Sequence, residues 1–135
     1  MSVALRNVYF MLCGMSLELL MKTIIVARGK EVKTTHNLKT LGKDANVPFE
    51  KKHEGLLQIL TEAVYWNGKY PTPQKEMDWE SLADLEVKHL FDKVPLGETG
   101  LTSLRGNGAL DWEGYSELWA IAFDTMCDVV SWIEK

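Results

Sequence analysis

Cysteine is scarce in this 135-residue chain, which has only Cys13 and Cys127. Two thiols inside apolar helical stretches do not make a disulfide framework, which needs more cysteines and a secreted context. Both are read as small buried hydrophobes, and the compartment as reducing. Basic residues are missing from 111–134, where six acids stand alone. Strand alternation, internal repeats and low-complexity segments are absent too, which leaves helices as the building material. No Walker-type phosphate loop occurs, and no Gly-x-Gly-x-x-Gly follows a strand. No serine, histidine and acid arrangement marks a nucleophilic site. The net charge of −4 excludes a chain-wide nucleic-acid binder.

The first long helix, over residues 3–28, is apolar almost all the way round. It carries one narrow polar stripe of Asn7, Gly14, Glu18 and Lys22. Such a helix needs other helices to cover it. It is too long for the apolar run of a signal peptide. Arg6, Asn7, Glu18 and Lys22 argue against a membrane span, so the expectation is a cytoplasmic protein with no membrane contact. Arg28-Gly29-Lys30 has the residues that end a helix.

A short second helix carries Leu38, Leu41 and Ala45, with Thr34 or Thr35 as its cap. A third is expected over 50–66, with Leu56, Leu57, Leu60, Ala63 and Val64 on one face, stopped by Asn67-Gly68. Lys69-Tyr70-Pro71-Thr72-Pro73 is extended because each proline pushes its predecessor out of the helical region. A fourth helix, over 78–91, has an inner stripe of Trp79, Ala83, Val87, Leu90 and Phe91. Residues 92–110 read as a long glycine-containing loop, either functional or mobile. A fifth helix, over 111–134, has a seam of Trp112, Tyr115, Trp119, Ala122, Met126, Val129 and Ile133 in steps of three and four. Leu118, Ile121, Phe123 and Val130 widen its apolar surface, making it a candidate dimer interface. The expected fold is all-α, a single domain over 1–135, built as an up-and-down bundle of four to five helices with antiparallel neighbours.

Two Glu-x-x-His steps, Glu50 to His53 and Glu86 to His89, are the spacing of di-metal carboxylate bundles. Glu50 and His53 fall at a helix start, and Lys51, Lys52 and Lys88 lie inside the motifs. They are read as solvated surface, with no metal and no other cofactor expected. Arg28, Lys30, Lys33, Lys39 and Lys43 surround His36. This is either a solvated helix end or a patch for phosphates. Glu18 and Lys22, four apart, form an ion pair that needs further partners when buried, and His36 or Tyr70 are the candidates.

Glu18-Leu19-Leu20-Met21-Lys22, then Thr35-His36-Asn37-Leu38 with Leu41, then Lys69-Tyr70-Pro71 together resemble the HEPN (higher eukaryotes and prokaryotes nucleotide-binding) superfamily. The resemblance is best over residues 9–73. It implies a helical bundle, usually a homodimer, among ribonuclease toxins, partners of small nucleotidyltransferases and non-catalytic binding domains. The family's ribonucleases carry an Arg, four to six residues and a His near the start of a late helix. Here the late helix has neither, and Arg105 precedes it with no histidine following. Many members have Arg-Tyr-Pro where Lys69-Tyr70-Pro71 stands, so the charge persists without the planar two-pronged grip.

The expected function is therefore a non-catalytic HEPN-like binding or partner module in a toxin–antitoxin or defence setting. Nucleotide or RNA would contact Arg28, Lys30, Lys33, His36, Lys69 and Tyr70, with Glu18 and Lys22 as a polar core network. A nucleotidyltransferase is the expected protein partner. The alternatives are a divergent ribonuclease using His36 with Arg28, and a purely structural homodimer.

Overall fold

The computed structural model describes residues 3–65 and 79–133. Expectations at Trp66, Asn67, Gly68, Lys69, Tyr70, Pro71 and Pro73 lie outside the described residues. Among the described residues five helices run in the order α1 (Val3–Ala27), α2 (Leu38–Asp44), α3 (Glu54–Ala63), α4 (Trp79–Leu90) and α5 (Trp112–Ile133). A 3-10 turn, Lys51–His53, leads into α3. The long loop expected after α4 is instead a two-stranded antiparallel hairpin, β1 (Phe91–Pro95) and β2 (Thr102–Gly106), so the protein is mostly helical rather than purely so. Its register runs from Phe91 opposite Gly106 to Pro95 opposite Thr102. The hairpin escapes a periodicity reading because it shows no alternation of buried and exposed residues. Nearly every residue on both of its faces is at least partly exposed.

α1 is the axis, in contact with α2, α3 and α5; α3 also packs on α2 and α4. Leu17, Met21, Ile24 and Ile25 of α1 are fully buried, together with Leu38 and Leu41 of α2, Leu57, Ile59 and Leu60 of α3, and Leu118 of α5. Gly14 lets α1 approach α3 closely. A Cβ there would stand 2.8 Å from the Leu60 carbonyl oxygen and 2.8 Å from Val64 Cγ2. α1 ends with Gly29 at φ 75°, its N–H donating to Val26 O and that of Lys30 to Ile25 O. These two bonds satisfy the last carbonyls of the helix, as in a Schellman motif.

Three expected details differ. α2 is capped by Asn37, whose side chain accepts from Thr40 N, rather than by a threonine. Thr35 instead accepts from Asn37 N and steadies the approach. α4 turns Leu85, Glu86, His89 and Leu90 inward, while Ala83 and Val87 are exposed. Polar Glu86 and His89 belong on that face because Glu86 meets Arg6 at 3.3 Å and the His89 ring lies on Gly55. α5 buries Tyr115, Leu118, Ala122, Thr125 and Val129, while Trp112 at the head of the expected seam is 70% exposed. The buried line of α5 is thus rotated away from Trp112, while Trp119 is partly buried at its side, and most of the line is used against α1.

Candidate functional site

Where α1 passes the segment leading to α2, three polar side chains converge. Glu18 is buried, and its Oε1 accepts a hydrogen bond from Lys22 Nζ at 2.7 Å. The same oxygen lies 2.6 Å from His36 Nδ1. An ionised carboxylate only accepts, so His36 donates from Nδ1, which makes its Nε2 the acceptor nitrogen of the ring. The Tyr65 ring stands edge-on to the imidazole, centroids 5.4 Å apart at 84°. A carboxylate that fixes the tautomer and orientation of a histidine is the geometry of an acid–base or hydrogen-bonding site. Local structure sets this up. Asn37 caps α2 directly after His36, and the buried Leu38 N–H is satisfied by Thr61 Oγ1 of α3 at 3.1 Å. His36 therefore sits at a tethered helix entrance.

The other expected ligand contacts are spread out. Lys33 pairs with Asp44 at 3.3 Å, and Lys39 reaches Glu54 at 3.9 Å. Arg28 and Lys30 line a cleft of about 490 Å³ with Ala27, Asp128 and Val129, at the far end of α1. Glu18, which holds His36, is ten residues before Arg28, roughly 15 Å along the helix axis. Arg28 and His36 thus mark two places rather than one phosphate-sized site, and the cation beside His36 is Lys22. Lys69 and Tyr70 lie outside the described residues. The aromatic ring on His36 is that of Tyr65. Its place one turn after Thr61 on α3 was the available signal for it in the sequence.

The two Glu-x-x-His steps do not come together as a metal centre; among the described residues no group of three or more His, Cys, Asp or Glu is placed to hold an ion. Nor is His53 a solvated residue: it is 3% exposed. Its Nδ1 accepts from Glu50 N at 3.1 Å, closing a capping box at the entrance to α3. Its Nε2 faces Glu117 Oε1 at 3.5 Å, too long for a good hydrogen bond.

A second buried cluster lies toward the start of α1 and α5. Burial raises the pKa of Tyr9, reinforced by the neighbouring Cys13, and burial raises the Cys13 thiol as well. Tyr115 is raised by burial, offset in part by a hydrogen bond with Ser16. Cys13 is the buried thiol expected; Cys127 is exposed, on the outer side of α5.

Together these features define a helical bundle with a carboxylate-held histidine and a separate basic end. No family model, curated protein or solved structure matches the chain.

Proposed function

We propose that this chain is a HEPN-like up-and-down helical module that binds or partners rather than cleaves, taking nucleotide or RNA phosphate at the basic end of α1. The observation that supports this reading most is the 2.6 Å contact between His36 and Glu18. It joins two of the three stretches that carry the resemblance, and it uses His36 to complete a buried polar network. Arg28 and Lys30 then supply exposed positive charge beside a cleft. The proposed setting is cytoplasmic toxin–antitoxin or defence chemistry, with a nucleotidyltransferase as the protein partner.

Binding of fluorescent single-stranded RNA and of ATP to the full chain tests this. If two phosphates are neutralised, affinity for single strands falls about sevenfold between 50 and 200 mM salt. Arg28→Glu combined with Lys30→Glu lowers it at least tenfold. Lys33 and Lys39 matter less, because each already faces an acid. Absent or salt-independent binding removes the reading.

The oriented imidazole favours one other reading, a divergent ribonuclease in which His36 moves the proton. Arg28 was its expected phosphate stabiliser, but Lys22 is the nearer cation. Cleavage of labelled RNA that disappears with His36→Ala would replace the binding module by this enzyme.

A further inference from the structure

A second opening lies at the other end of α1 from Arg28 and Lys30. It holds about 370 Å³, between the first turns of α1, the end of α4 and the turn that leads into α5. Small-molecule pockets run from roughly 300 to 1,000 Å³. Arg6, on its lining, is roughly 33 Å along the helix axis from Arg28. The place is therefore separate from the basic end and does not depend on anion binding there. Asn107 fixes its frame. Its side-chain amide donates to the His89 carbonyl at 3.0 Å, and its backbone N–H to that of Leu90 at 2.9 Å. The turn before α5 is thereby fastened beside the end of α4.

The walls are apolar and largely aromatic. Phe10, Leu90 and Leu110 belong to the core, and Phe91 and Trp112 complete them. Trp112 is 70% exposed, so a large ring stands uncovered at the edge of the opening. Two polar atoms interrupt this surface. Arg6 Nε and Tyr9 Oη are buried, and among the described residues neither has a hydrogen-bond partner. The Arg6 Nη2 is engaged by Glu86 at 3.3 Å, and the guanidinium stands 5.9 Å from the Phe10 ring centre. Beside Tyr9 lies the Cys13 thiol, a weak acceptor. An arginine Nε–H can only donate, and a tyrosine that burial keeps protonated can donate as well. Arg6 and Tyr9 are three apart on α1 and so share one face. Buried donors without acceptors are costly, and both of these line the same pocket.

We propose that this pocket binds a small uncharged aromatic molecule carrying a carbonyl oxygen. The ring lies against Trp112 and Phe91, and the oxygen accepts from the unpaired donors of Arg6 and Tyr9. Aromatic walls suit a flat ring, through stacked or edge-on contacts. Charge decides against an acid. Glu86 already neutralises Arg6, and Asp111, whose Oδ1 accepts from Gly114 N, adds another carboxylate to the lining. A carboxylate or phosphate would lose its water to meet a neutralised guanidinium and an acid besides. A cation would leave both donors unpaired.

NMR titration of the full chain with coumarin, a neutral bicyclic lactone, tests this. Naphthalene supplies a ring without an acceptor, and 2-naphthoate a ring with a charge. Binding is read from the ligand resonances, and its place from the Trp112 indole signal. Coumarin should bind saturably with Kd below about 1 mM and shift that signal. 2-Naphthoate should bind about tenfold more weakly or not at all. Tyr9→Phe should weaken coumarin about fivefold and leave naphthalene unchanged. Ala109→Leu enlarges a side chain on the lining and should abolish binding with helicity unchanged. Trp112→Ala, which removes an exposed wall and spares the core, should weaken coumarin about tenfold. No saturable coumarin binding up to about 5 mM overturns the proposal. So does tighter binding of 2-naphthoate than of coumarin, an unchanged coumarin affinity in Tyr9→Phe, or binding that survives both Ala109→Leu and Trp112→Ala.

Discussion

The two faces of α1 are made of the same residue types and meet opposite fates. Leu17, Met21, Ile24 and Ile25 are sealed beneath α2, α3 and α5, whereas Leu5, Leu12, Leu19 and Val26 stand in the open. Hydrophobicity along the chain cannot separate the two sets; only the position of neighbouring helices does. Burial is a property of what covers a side chain, and on α1 the cover stops half-way round. The boundary is drawn by the least apolar residues. Gly14 admits α3, and Glu18 with Lys22 admits the His36 segment.

Substitutions on either side of that boundary sharpen the contrast. Leu17→Ala should cost about 2–5 kcal/mol in urea denaturation, because the cavity has nowhere to collapse. Leu19→Ala, two residues away, should cost less than about 0.5 kcal/mol in dilute protein. Equal losses would break the distinction between the faces. At the boundary, Gly14→Ala should cost about 1–3 kcal/mol, since the new methyl meets the fixed Leu60 carbonyl and part of the bundle must shift. Glu18→Gln keeps the shape but removes the charge shared by Lys22 and His36. A loss of about 1–2 kcal/mol is expected, with the His36 ring resonances moving in NMR spectra; unmoved resonances would mean the histidine is held by packing alone.

The smallest effect concerns pH. Burial holds the folded pKa values of Tyr9, Tyr115 and Cys13 above the ordinary values of those groups, 10.0 for the tyrosines and 9.0 for the thiol. Each folded group holds its proton longer than its unfolded counterpart. Their stabilisation is therefore complete below about pH 9 and declines as pH rises through the folded values. A thermal melt series from pH 7 to 11 should fall off at the alkaline end, and less so for Tyr9→Phe. In the same protein at pH 8, a thiol reagent should label exposed Cys127 at once and raised, buried Cys13 only on unfolding. Equal labelling would contradict the packing of the inner face.

Helix positions in this chain were readable because their signals are local. Gly29 ends α1, Leu38 and Leu41 place α2, and the leucines of the third segment give α3. The ion pair of Glu18 with Lys22 was legible from spacing, and the need for a further partner led to His36. What was missed depends on cross-chain contacts. Glu86 and His89 look like surface residues until Arg6 and Gly55 are seen beneath them. Likewise, β1 and β2 pair through backbone groups, with side chains too exposed to alternate. On α5 the spacing was partly legible: Tyr115, Ala122 and Val129 of the expected seam are buried, with Leu118 beside them, whereas Trp112 at its head is exposed. The exposed apolar residues of α1, such as Leu12 and Leu19, were hidden for a related reason: an all-round apolar helix looks completely buried until the structure shows which side is exposed.

The imidazole of His89 rests on the bare backbone of Gly55, where a Cβ would collide with the ring. Asn107 bonds back to the His89 carbonyl at 3.0 Å and to that of Leu90 at 2.9 Å, which fastens the hairpin to the end of α4. Mechanically, α4 is seated on α3 at this notch, and the hairpin is carried on the end of α4. A methyl group at position 55 would push against that seat, so the His89 ring would have to leave the notch to make room for it.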